Sequence, residues 1–92
     1  MEKQIDMTST EFFRATYPKL KVGTPRWAVD GIMPELRKME VGDIVLFPID
    51  KYNYNTVRSA PSNMLNERFI EGMEWTTRID KENKAIAVIR RE

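Results

Sequence analysis

Four consecutive apolar residues, Ile44-Val45-Leu46-Phe47, closed by Pro48, constrain this chain more than any other stretch. Branched and aromatic residues favour a strand, and apolar side chains at every position need cover on both faces. The run is therefore the expected centre of a sheet, entered through the turn signal Gly42-Asp43 and ended where Pro48 withdraws a backbone donor. With 92 residues, 41% of them hydrophobic and nine of them aromatic, the expectation is one small domain with a compact core.

Other elements follow from spacing. Val57, Ala60, Met64, Leu65 and Phe69 recur at intervals that fit a principal helix over residues 56–71, capped by Thr56 and stopped by Gly72. Pro61 interrupts it, unless the helix begins at Ser59 with Pro61 in its first turn. Met73, Trp75, Thr77 and Ile79 alternate with polar residues, and Ala85 to Ile89 return after the turn Lys81-Glu82-Asn83, which predicts a C-terminal hairpin. Trp75 lies on the apolar stripe of its strand and belongs to the core. Upstream, Thr8 and Glu11 fit a capping box for a short helix at 9–17, ended by Pro18. Trp27 and Val29 alternate with Arg26, Ala28 and Asp30, which suits a short strand or a helical turn. The expected class is α+β: a three-stranded sheet from 44–48, 73–80 and 84–90, with the helix 56–71 on one face. Residues 36–92 make the core, and residues 1–35 an arm or helix, free or packed on it.

Composition then narrows the chemistry. The chain holds neither Cys nor His, so thiolate zinc sites, Cys nucleophiles, imidazole bases and Ser-His-Asp triads are excluded. Its carboxylates show no D-x-D ligand pattern, so the expectation is a protein that is not an enzyme and uses no metal or cofactor. No apolar run approaches the ~18 residues of a membrane span, and the opening Met-Glu-Lys-Gln-Ile-Asp has no apolar signal region. A reducing, soluble compartment without a membrane partner is expected.

The candidate binding residues lie in the second half. Arg58, Ser62 and Asn66 fall at i, i+4 and i+8 of the expected helix, with Ser59 and Asn63 in a neighbouring row. These residue types donate to phosphates and read base edges, and a helix followed by a hairpin is also the end of a winged-helix module, with Lys81 and Lys84 at the wing tip. A solvated helix face is the plain alternative. Arg58 would stand in the first turn, where a cation opposes the helix dipole and calls for a compensating contact. Tyr52 and Tyr54, in the polar loop before the helix, are candidates for stacking on a base or anchoring a protein, or else for packing their rings on the core. Net charge is +1, yet residues 1–50 hold seven basic and eight acidic side chains and residues 51–92 eight and six. The basic bias lies with the helix and hairpin, where Arg58, Arg68, Arg78, Arg90 and Arg91 suit phosphate recognition.

Residues 39–48 (Met-Glu-Val-Gly-Asp-Ile-Val-Leu-Phe-Pro), 56–62 (Thr-Val-Arg-Ser-Ala-Pro-Ser), 75–78 (Trp-Thr-Thr-Arg) and 87–90 (Ala-Val-Ile-Arg) together resemble a group of small bacteriophage and mobile-element proteins, mostly uncharacterised. The likeness covers about residues 36–90. It implies an origin in a phage or mobile element and a site of action in the cytoplasm of a bacterial host or in a virion. Two expectations for function follow: an accessory protein that binds nucleic acid, or a protein-interaction module, as a virion component or an inhibitor of a host protein.

Overall fold

The computed structural model describes residues 8–92. Thr8 caps the first helix, α1 (Ser9–Thr16): its hydroxyl accepts from the Glu11 amide at 3.1 Å, while the Glu11 carboxylate accepts from the Thr8 amide at 3.0 Å. This reciprocal pair satisfies two amides that helix geometry leaves without partners. The chain continues through β1 (Arg26–Trp27), α2 (Ile32–Lys38), β2 (Ile44–Pro48), α3 (Tyr54–Ser59), a 3-10 turn (Ala60–Asn63), a wide π turn (Asn66–Ile70) and the hairpin of β3 (Trp75–Asp80) and β4 (Ala85–Arg90).

The class is α+β, but the sheet has four strands in the order β1-β2-β4-β3, not three. β2 and β4 are antiparallel from Ile44 opposite Ile89 to Pro48 opposite Ala85, and β3 closes the hairpin from Trp75 opposite Arg90 to Asp80 opposite Ala85. The added strand, β1, lies parallel to β2, with Arg26 opposite Val45 and Trp27 opposite Leu46. Of the short strand and the helical turn that the alternation around Trp27 suits, the strand forms, and a contact from a later element holds its start and the residues that follow it. The buried Glu35 carboxylate of α2 accepts from the Arg26 guanidinium at 2.7 Å and from the amides of Val29 and Asp30 at 2.7 and 2.8 Å. Burial alone would raise its pKa; the two amides and the Arg26 charge outweigh that and hold it below the ordinary carboxylate value.

Side-chain alternation divides the sheet into two covered faces. Val45, Phe47, Ile86, Val88 and Trp75 meet Leu36 and Met39 of the α2 segment, Val57 and Ala60, and then Met64 and Met73. Ile44, Leu46, Ala85, Ala87 and Ile89 on the other face meet Phe13 of α1, with Phe12, Tyr17, Leu20 and Val22 around it. The continuous apolar run of β2 is thus buried from both sides.

The principal helix expected over 56–71 is not one helix. It begins at Tyr54 because Asn53, not Thr56, caps it, accepting from the Asn55 and Thr56 amides at 2.8 and 3.4 Å. Pro61 has no amide to bond the Val57 carbonyl four residues back, and the chain tightens into the 3-10 turn, the Ala60 amide bonding Val57 instead. Met64 then leaves helical geometry at φ −107° and ψ 65°. Val57, Ala60 and Met64 reach the core as their spacing implies, whereas Leu65 and Phe69, in the turn that follows, are 56% and 73% exposed.

Candidate functional site

The broken helix also breaks the expected binding face. Arg58 belongs to the last turn of α3, not the first, where its charge suits the negative helix end. Ser59 donates its hydroxyl proton to the Asn55 carbonyl at 2.7 Å, and Ser62 donates to the Ser59 carbonyl at 2.5 Å, so both close backbone turns. Asn63 ends the 3-10 turn, and Asn66 starts the π turn beyond the break at Met64, out of row with Arg58 and Ser62. Tyr52 sets its ring edge-on to Phe47 at 5.2 Å, and Tyr54 also packs on the core; each is half-buried.

The other candidates are scattered. Arg78 belongs to the α1 side of the sheet, its guanidinium 4.0 Å from the centre of the Phe12 ring. Lys81 and Lys84 lie at the hairpin tip, about 17 Å along β3 from Trp75 at ~3.4 Å per residue. Lys84 takes φ 51° there and walls a depression of about 310 Å³ with Trp27, Pro48 and Ile49. Trp27 is accordingly half-exposed rather than core.

What the structure does bring together is a cleft of about 300 Å³ against the edge strand β3, where Arg58, Arg68 and Arg91 meet Ser62, Thr77 and Trp75. Each cation comes from a different element: the end of α3, the π turn, and the residue after β4. Arg91 donates to Glu74, also on the wall, at 2.8 Å. Both partners are partly exposed, and such a pair is worth less than about 1 kcal/mol, so it yields readily to a stronger anion. Among the described residues neither Arg58 nor Arg68 pairs with a carboxylate. They lie against rings instead, Arg58 at 6.0 Å from the Tyr54 centroid and Arg68 at 5.1 Å from that of Phe69. Stacking of this kind holds the guanidinium plane while leaving its edge donors for a ligand.

Trp75 contributes to this wall but is only 9% exposed and belongs to the core cluster, its indole N–H buried with no partner among the described residues. The three guanidinium groups line the cleft itself, the arrangement that receives phosphate or carboxylate oxygens.

The π turn that carries Arg68 is fixed from outside. Glu67 accepts from Arg37 of α2 at 2.8 Å, a contact that lowers the Glu67 pKa, and the Glu67 carbonyl receives the Met73 amide at 3.0 Å. Among the described residues no three of His, Cys, Asp and Glu converge as metal ligands, and no helix is long and apolar enough to cross a membrane. Sequence reasoning singled out Arg58 and Ser62 of this cleft, named Arg68 and Arg91 only among the arginines of the second half, and missed Thr77 and the place of Trp75 on the wall. The one available signal was the excess of arginine in the second half of the chain. Neither family models, nor characterised proteins, nor solved structures give a match to this chain.

Proposed function

We propose that this protein is a small non-enzymatic accessory protein that binds nucleic acid through phosphate contacts in the cleft of Arg58, Arg68 and Arg91. The observation that carries the reading is the convergence of these cations on one cleft, two of them without a carboxylate partner among the described residues. The resemblance to bacteriophage and mobile-element proteins agrees with the same reading and implies action in a bacterial host or a virion. The binding surface in this reading is the cleft, not the helix face and hairpin tip together, because Arg78 lies against Phe12 and Lys84 against Trp27 and Pro48, away from the cleft.

Fluorescence anisotropy of labelled oligonucleotides across a salt series tests it. Two to three neutralised phosphates give a log–log salt slope of about −2, since each contributes ~0.7 on a single strand and ~0.9 on a duplex. Arg58→Ala should weaken binding by about 1–3 kcal/mol and flatten the slope by a little under one unit, with the melting temperature nearly unchanged. Absence of binding at tens of micromolar protein in low salt, or an affinity indifferent to Arg58→Ala and Arg68→Ala, ends this reading.

A second reading is a docking site for a host or virion protein. Leu65, Phe69 and Ile70 favour it, standing exposed within one turn.

A further inference from the structure

Phe69 is out of place for a residue of its kind. It is 73% exposed, on a turn fixed by the Glu67 contacts rather than at a loose end, and its ring lies 5.1 Å from the guanidinium of Arg68, which lines the cleft. An aromatic ring spread in water costs free energy that a buried position would recover. With Arg68 beside it and most of its surface in solvent, the ring offers a flat apolar platform at the rim of a phosphate-sized cationic cleft.

We infer that the cleft selects single-stranded nucleic acid, with a base stacked on Phe69 while the adjoining phosphate enters among Arg58, Arg68 and Arg91. The inference rests on the phosphate-binding reading of the cleft and adds what it discriminates. A duplex keeps the faces of its bases inside the stack, so the ring has nothing to meet there; an unpaired base presents that face freely. The cleft, about 300 Å³, can receive backbone phosphates from either form, so the discrimination lies with the ring of Phe69. Stacking with flanking cations is tolerant of sequence, because every base has a π face.

The test measures the affinity of oligothymidylate, oligouridylate and a duplex of equal length for the wild-type chain and for Phe69→Leu, Phe69→Tyr, Ile70→Ala and Arg58→Ala/Arg68→Ala variants. Phe69→Leu keeps an apolar side chain and removes the ring; at so exposed a position it leaves the fold intact, which circular dichroism checks. The expected result is a loss of about 5- to 100-fold on both single strands with Phe69→Leu, recovery with Phe69→Tyr, and little change with Ile70→Ala. Duplex affinity should be lower in the wild type and indifferent to Phe69→Leu. Equal single-strand affinity of wild type and Phe69→Leu, with loss on the double arginine variant, overturns the stacking inference and leaves the cleft reading standing. Equal losses from Phe69→Leu and Ile70→Ala would overturn it too, as the sign of a general apolar contact. If the double arginine variant binds as the wild type does, both fail.

Discussion

Gly42 carries φ +94°, and a Cβ placed on it would meet the Lys21 carbonyl oxygen at 2.1 Å. The turn is sewn in on both sides: the Gly42 amide donates to Arg90 at 2.7 Å and its carbonyl receives the Gly23 amide at 2.9 Å. No side chain fits without moving the backbone that launches β2. Gly72 has φ +73° but open space around it, so the two glycines separate steric from conformational cost. Gly72→Ala should cost about 1 kcal/mol, the left-handed penalty alone, and Gly42→Ala at least about 2–4 kcal/mol. Urea denaturation measures both, and a Gly72→Ala variant as damaged as Gly42→Ala would contradict the role given to the Lys21 contact.

Among the elements, α1 is a cover for one face of the sheet, and Phe13 is its wedge. Its ring is fully buried beside Ala85 and Ala87, whose small side chains leave room between the larger Ile44, Leu46 and Ile89. Tyr17 adds a 2.8 Å hydroxyl contact to Thr76 of β3. Phe13→Ala should therefore remove about 3–5 kcal/mol, a large part of the ~5–15 kcal/mol available to a domain of this size. A loss under about 1 kcal/mol in the same denaturant assay would mean that α1 does not cover the sheet. This helix was legible in the sequence because Thr8, Glu11 and Pro18 mark its ends by local chemistry alone, and β2 because its apolar run has only one environment that suits it. β1 was legible only as one of two alternatives, a short strand or a helical turn: Arg26 is held by Glu35, nine positions away, and no local pattern announces such a clamp. The segment 56–71 was half legible. Spacings of three and four put Val57, Ala60 and Met64 in the core equally well through an α turn and a 3-10 turn, so periodicity could not see where the helix stopped, and Phe69 passed for a core residue.

At the scale of the whole molecule, the cleft escaped the sequence for a related reason: Arg58, Arg68 and Arg91 come from three elements, and only the packing of the π turn and the end of β4 beside β3 joins them. The same long-range packing ties stability to acidity. Asp80 at the hairpin tip, like Glu35, is buried yet held below its ordinary pKa, here by the Asn83 side chain and amide. A carboxyl with a lower pKa folded than unfolded contributes stability that is complete above the unfolded values, 4.5 for Glu35 and 3.8 for Asp80, and lost as pH falls through the folded ones. Thermal melts should be level from neutrality to about pH 5 and fall below it. Glu35→Gln should melt lower at neutral pH, where its amide faces only donors, and show a shallower acid decline; an unaltered decline would remove Glu35 from the cause. The strand order has a consequence for synthesis. β4, paired on both sides by β2 and β3, follows them both in the chain, so during synthesis the apolar run of β2 has no antiparallel neighbour until residues 85–90 are made. Between the emergence of residues 44–48 and that of residues 85–90 the nascent chain carries its stickiest segment without its central partner, and that interval is the one in which a chaperone at the tunnel mouth would find something to hold.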